Sequence, residues 1–178
     1  MTNNHPLIER VKDILKEAEE SPVLVKHREQ ICGFCAYFTV DISNCVTVLL
    51  RDGNNPKLRG IYHIHSTEIP REQWKNSFRV LMDEFYKFQS SAAREFLPRY
   101  ALIGGEFEGN LQSTVDIECR KYGMPKVEIP QTKDTYKDVI LLPNRQMGML
   151  EYHARSDGGA DKRIVMMREA GTFRLHNF

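Results

Sequence analysis

The sequence predicts an α/β (α+β) fold, in which a layered β-sandwich is flanked by helices. Strand-like runs rich in β-branched and aromatic residues come in two groups, and segments with helical spacing precede and separate them. With 178 residues and a hydrophobic content of 41%, the chain is long enough to bury a core within one domain.

The first half of the chain opens with a helix and continues with strands. Apolar residues at helical spacing predict a helix over Pro6–Glu20. Three strand-like runs follow, ICGFCAYFTV, NCVTVLLRD and RGIYHIH, and the turn-rich DGNNP separates the last two. Cap signals after the third run predict a long helix over Pro70–Ser90, with an apolar stripe directed to the core.

The second half of the chain is predicted to contain a strand, then a helix, then several short strands. RYALIGGEFEGN predicts a strand ending in a Gly-Gly bend, and a helix follows over Asn110–Lys121, with Gly123 as its C-cap signal. KVEIP, DVILLPN, MGMLEYH and RIVMMRE predict short strands, and the turn at Pro143–Gln146 predicts a hairpin. We expect a helical segment over 1–28, a main domain over 29–153 and a strand extension of that domain over 154–178.

Charge and composition narrow the classes of partner. Twenty-five basic and 24 acidic side chains give a net charge of +1, which favours neither nucleic acid nor an anionic membrane as a partner. The N-terminal segment lacks the apolar region of a signal peptide, so we expect a cytoplasmic protein, or one secreted into a host cell without such a signal. The four cysteines are then expected to be reduced thiols, and no oligomeric state is predicted.

Thr39, Cys45 and His63 form the pattern with the clearest chemical meaning. Cys45 begins one strand-like run, His63 lies 18 residues later on the next run, and a hairpin joined by DGNN brings the two together. Thiol chemistry needs a base near the sulfur and a third group that orients the base. Thr39 precedes Cys45 by six residues, and the intervening loop offers backbone N–H groups near Ser43 and Asn44 for an oxyanion.

The segment TVDISNCVTVLLRDGNNPKLRGIYHIHS resembles the catalytic segment of the CheD-type chemoreceptor glutamine deamidases. That family has a Thr, a Cys six residues later in a GSCV-like motif, and then a His on a strand. LIGGEFEGN is similar to its FGGA segment, and KDVILLPNRQMGMLEY is similar to its late hairpin. The likeness runs in order from about Cys32 to Tyr152. ISNC is also similar to the SGC-like turn of bacterial toxins that deamidate host glutamines.

The resemblance implies a CheD-like fold and a cysteine-dependent protein glutamine deamidase, either a regulatory enzyme or a bacterial effector. Cys45 would be the nucleophile, His63 its base, and Thr39 the residue that orients His63. Ser43 and Asn44 would support the oxyanion. No cofactor and no metal would be needed, and the partner would be a protein that carries the target glutamine. Glu106 replaces the family's Ala after the Gly-Gly pair, and we expect it to alter the substrate channel.

Three alternatives stay open at the level of sequence. A zinc site could use Cys32 and Cys35 of the CGFC motif with His63 and His65 of the HIH motif. The same scaffold could also be a binding module without catalysis, in which Cys45 and His63 belong to the core. An amine in place of water would turn deamidation into transglutamination. If Cys45 and His63 react, His65, two positions further along the same strand face, is at most auxiliary.

Overall fold

The structure is a computed structural model that describes residues 5–88, 95–105, 110–153 and 166–178. It confirms the predicted α+β sandwich: two β-sheets stack face to face, and helices cover their outer faces. The helices of these ranges are α1 (Pro6–Glu17), α2 (Trp74–Lys87) and α3 (Leu111–Arg120). The strands are β1 (Val23–Leu24), β2 (Gln30–Gly33), β3 (Tyr37–Ile42), β4 (Val46–Asp52), β5 (Arg59–Ile64), β6 (Pro98–Gly104), β7 (Tyr136–Leu141), β8 (Gln146–Tyr152) and β9 (Thr172–Asn177).

The two sheets divide the strands unevenly. One sheet has five strands in the order β1-β3-β7-β8-β9, and the other has four in the order β2-β5-β4-β6. Strand β4 is buried along its whole length, as expected for a central strand with a helix layer on one face and a second sheet on the other. The predicted hairpin at Pro143–Gln146 is confirmed, since β7 and β8 pair antiparallel around it.

Alternate residues of each strand enter different cores. Leu49 and Ile61 of the four-stranded sheet pack between the sheets against Val139 and Met149 of the five-stranded one. Their neighbours in sequence face α2 and α3, whose side chains include the fully buried Trp74. A third cluster joins α1 to the outer face of the five-stranded sheet. This alternation places the odd-numbered residues of β4 and β5, and Tyr37 and Thr39 of β3, in the space between the sheets.

Three predicted strands differ in the structure. The run ICGFCAYFTV divides into β2 and β3, which belong to different sheets, because the chain turns at Phe34–Ala36. KVEIP forms only a single bridge, between Lys126 and Tyr100, because Pro125 and Pro130 at its ends lack the N–H groups that a ladder requires.

The third difference lies near the C-terminus. Of RIVMMRE, residues 163–165 lie outside the described residues and 166–169 form a helical turn, because Met167 packs against the apolar cluster under α1. Strand β9 pairs with β8 instead. The predicted helix end at Ser90 lies outside the described residues, as does Glu106. Within the described ranges, no helix combines the length and apolar character needed to cross a membrane.

Candidate active site

The β4–β5 hairpin brings Cys45 and His63 together. In its register Val46 lies opposite Ile64, and Thr47 lies opposite His63. Cys45 directly precedes β4, so its side chain reaches the same end of the hairpin as that of His63. Cys45 is 5% exposed and His63 is fully buried. Both groups are therefore shielded from bulk water, which strengthens any electrostatic interaction between them.

Thr39 reaches His63 from the opposite sheet. Its Oγ1 lies 2.6 Å from Nδ1 of His63, and both side chains are buried. The imidazole tautomer that carries its proton on Nδ1 donates it to Thr39 and leaves the lone pair of Nε2 free. Nε2 is buried and has no hydrogen-bond partner among the described residues. Thr39 thus holds the ring with one nitrogen and leaves the other available for chemistry.

The strand that carries Thr39 is distorted immediately after it. The pairing of β3 with β7 shifts register between Thr39 and Ile42, and Asp41 adopts a positive φ of 59°. The backbone N–H of Asp41 donates to Oδ1 of the buried Asp138 at 2.8 Å. Arg168 binds both carboxylates, with 2.9 Å between its Nε and Oδ2 of Asp138. This partly buried charge network fixes the bulge that separates Thr39 from the loop before Cys45.

His27 is a third member of the site, and no sequence pattern indicated it. One nitrogen of His27, one nitrogen of His63 and the sulfur of Cys45 all lie within 4.8 Å of one another. The rings of His27 and His63 meet edge to face, with 4.3 Å between their centroids. His27 is exposed, on the loop after β1, whereas its two neighbours are buried. An isolated histidine in a loop carries no spacing signal, which is why only the fold reveals it.

Electrostatics make Cys45 and His63 a neutral pair in the resting protein. Burial, followed by electrostatic repulsion from the neighbouring His27 and His65, lowers the pKa of His63 to about 3. Burial raises the pKa of the Cys45 thiol, and a hydrogen bond with the Ser66 backbone partly offsets this effect. At neutral pH an uncharged thiol therefore lies beside an uncharged imidazole. Proton transfer between them creates two charges that stabilise each other at close range.

His65, which follows β5, caps a short helical turn at the edge of the site. Strand β5 ends at Ile64, and His65 caps the short 3₁₀ helix Ser66–Glu68. Its Nδ1 accepts from the N–H of Thr67 at 3.3 Å, and its own N–H donates to Oε2 of Glu68 at 2.9 Å. Its ring still lies on the same side as that of His63, since both rings are close to the ring of His27, with centroid distances of 5.6 Å for His65 and 4.3 Å for His63. The capped turn presents the Ser66 backbone to the Cys45 sulfur.

The Gly-Gly bend after β6 forms one wall of the site. Gly104 has a φ of +84°, and a Cβ placed there would lie 2.3 Å from the carbonyl oxygen of Cys45. Only glycine allows this approach. The N–H of Gly105 donates to the carbonyl oxygen of Ser43 at 3.4 Å, which ties the bend to the loop before Cys45. In that loop Ser43 is half-buried and Asn44 is exposed, so the backbone at Asn44 is accessible to a ligand.

A small cavity lies beside His27 and Thr39. Its volume is about 280 Å³, and its lining includes His27 and Thr39 together with apolar side chains of the β1 segment, among them Leu24 and Val25. A cavity of this size accommodates one side chain, whose end would lie near the exposed ring of His27.

The zinc set suggested by the sequence does not assemble. Within the described ranges, one group of three or more potential metal ligands occurs, and it consists of His27, Cys45 and His63. Cys32 pairs with Gly60 in β2, and burial raises the pKa of its thiol to about 11. Cys35 is exposed in the turn beyond it.

No protein-family model matches this chain, and comparison with curated proteins gives no match. The class of site is therefore defined by its own geometry: a buried cysteine and histidine, with a threonine that orients the histidine.

Proposed function

We propose that the protein is a cysteine-dependent protein glutamine deamidase. The observation that carries the proposal is the 2.6 Å contact of Thr39 with Nδ1 of His63, in a ring whose Nε2 has no partner among the described residues and which has one nitrogen within 4.8 Å of the Cys45 sulfur. A nucleophile, a base and a residue that orients the base are the groups that acyl transfer through a thiol requires.

The reaction begins when His63 takes the thiol proton as Cys45 attacks the side-chain amide carbon of a glutamine. The C–S bond forms, and the carbonyl oxygen becomes an oxyanion, held by backbone N–H groups at Asn44 and Cys45. Collapse of this intermediate breaks the C–N bond. The imidazolium of His63 gives its proton to the nitrogen, which leaves as ammonia.

Water completes the cycle by hydrolysing the thioester. His63, again neutral, removes a proton from the attacking water, and the C–S bond breaks to release glutamate and the Cys45 thiol. The lowered pKa of His63 favours its neutral form before each of these steps. If a primary amine takes the place of water, the same thioester yields a cross-link.

The substrate is expected to be a protein whose glutamine lies on an exposed segment. The cavity beside His27 and Thr39 has room for one side chain, and its apolar lining suits the methylene groups of glutamine. The exposed Asn44 leaves space above the loop for a substrate backbone. A regulatory enzyme and a bacterial effector are both consistent with this site.

Site-specific alkylation tests the catalytic pair. We expect iodoacetamide to modify Cys45 in the wild type and to do so more slowly in His63→Ala, as measured by peptide mass spectrometry. The exposed Cys35 serves as the internal reference, since its rate should not depend on His63. Equal rates at Cys45 in the two proteins would contradict the proposed pairing.

A further inference from the structure

We propose that His27, Cys45 and His63 bind a zinc-class divalent cation, and that the metal-bound form is a second, catalytically silent state of this site. The sequence suggested His63 as a zinc ligand only in a different set, with Cys32, Cys35 and His65. The metal site itself is independent of the proposed function; only its inhibitory effect rests on that function.

The geometry of the three side chains is close to that of a metal centre. Their donor atoms lie within 4.8 Å of one another. In tetrahedral zinc sites, bonds of about 2.3 Å to sulfur and about 2.0–2.1 Å to nitrogen place the ligand atoms about 3.3–3.6 Å apart. Closing this difference requires a shift of about 1 Å. The exposed ring of His27 is the part of the cluster that is free to make it.

His63 is already oriented as a metal ligand would be. Metal-binding histidines usually donate their second N–H to a neighbouring group, which fixes the tautomer and the ring. Thr39 provides that contact at Nδ1. Nε2 is fully buried and has no hydrogen-bond partner among the described residues. A buried polar atom without a partner costs free energy, and a metal bond at Nε2 would remove that cost.

The donor set selects the kind of metal. One thiolate and two imidazoles suit zinc and chemically similar ions such as cobalt(II), and they suit magnesium and calcium poorly, since those prefer oxygen. The metal would displace the proton of the Cys45 thiol on binding. Three protein ligands leave a fourth position for water, and the exposed side of the cluster at His27 gives water access to it.

Metal binding and catalysis exclude each other because they use the same two electron pairs. Proton transfer needs the lone pair of His63 Nε2, and attack on an amide needs the Cys45 sulfur. A metal bonded to both atoms removes the base and the nucleophile together. His27 differs from these two residues, since the proposed deamidation assigns it no proton transfer. His27 is therefore the ligand whose removal weakens the metal site and leaves both the base and the nucleophile in place.

Cobalt(II) titration tests the site directly, because a cobalt–thiolate bond gives a charge-transfer absorption that no histidine-only site produces. We expect wild type to develop this band at one equivalent and zinc to abolish it. His27→Ala should weaken cobalt binding by more than about tenfold. The matched control is His65→Asn, which removes the neighbouring histidine and retains a side chain able to cap the 3₁₀ helix. Cobalt affinity should not change in this variant.

Two further results decide between the proposals. Zinc should slow the alkylation of Cys45 in wild type, and the ratio of rates with and without zinc should approach one in His27→Ala. An absent cobalt–thiolate band, or equal cobalt affinity in wild type and His27→Ala, would overturn the metal site. Failure of the deamidase proposal would appear elsewhere, as alkylation of Cys45 that does not depend on His63. The cobalt spectrum would be unaffected by that failure.

Discussion

Thr39→Val tests the role of the hydrogen bond that orients His63. Valine has nearly the shape of threonine, so the substitution removes the 2.6 Å contact with Nδ1 and preserves the packing between the sheets. It leaves the buried Nδ1 without a partner, at a cost of about 1–3 kcal/mol. We expect this free energy to oppose the orientation of His63 in which it acts as the base. The alkylation rate of Cys45 then falls about 5- to 150-fold, since each 1.4 kcal/mol is a factor of ten in rate.

The chain provides a matched control for this variant. Thr47 lies opposite His63 in the hairpin and is also fully buried, and its Oγ1 has no hydrogen-bond partner among the described residues. Thr47→Val therefore removes a hydroxyl of the same kind from the same hairpin without breaking a contact. We expect it to keep the wild-type alkylation rate and to leave stability unchanged or raise it slightly.

The assay is the second-order rate constant for iodoacetamide at Cys45, measured by peptide mass spectrometry beside urea unfolding of each variant. A wild-type rate in Thr39→Val would refute the assignment of Thr39 as the residue that orients the base. An equal loss in the two valine variants would refute it as well, because the effect would then be one of general packing.

Two further outcomes follow from the geometry. Gly104→Ala should destabilise the fold by more than about 2 kcal/mol, because its φ is positive and its Cβ would overlap the carbonyl oxygen of Cys45. Gly123 also has a positive φ, but the space around it is open, so Gly123→Ala should cost only about 1 kcal/mol. Urea unfolding of both variants measures this difference, and equal losses would contradict the close approach. Burial lowers the pKa of His63 from 6.5 to about 3 in the folded protein. Between these two pH values the unfolded chain binds one more proton than the folded protein, so the free energy of unfolding decreases as the pH decreases. Wild type should lose about 3 kcal/mol more than His63→Gln between pH 7 and pH 4, and parallel losses would show that His63 is not held neutral by burial.

The fold class and the central hairpin could be predicted because they depend on local patterns. Alternating apolar residues and the DGNN turn specify β4 and β5, and the register of that hairpin then determines the distance between Cys45 and His63. The contact between Thr39 and His63 depends instead on how the two sheets stack, because the two residues belong to different sheets. The sequence placed Thr39 near the pair through its spacing before Cys45 and through the resemblance, and neither of these specifies how the sheets stack.

The parts that were missed depend on contacts distant in sequence. His27 reaches the site because β1 pairs in parallel with β3, which carries Thr39, and a two-residue strand leaves almost no pattern. The end of strand β5 at Ile64 could not be predicted, because the exact end of a strand is set by the capped turn that follows. The bend at Phe34–Ala36 was hidden for a similar reason, since both strands beside it have the same composition.

The most direct measurement of the central claim is glutamine-to-glutamate conversion in heavy-oxygen water. Lysates from bacterial and eukaryotic cells would be treated with wild type, Cys45→Ser and His63→Ala, and their peptides compared by mass spectrometry. We expect glutamates with one heavy oxygen at former glutamine sites in the wild-type sample alone, because water hydrolyses the Cys45 thioester. Identical peptide profiles for wild type and Cys45→Ser would contradict it.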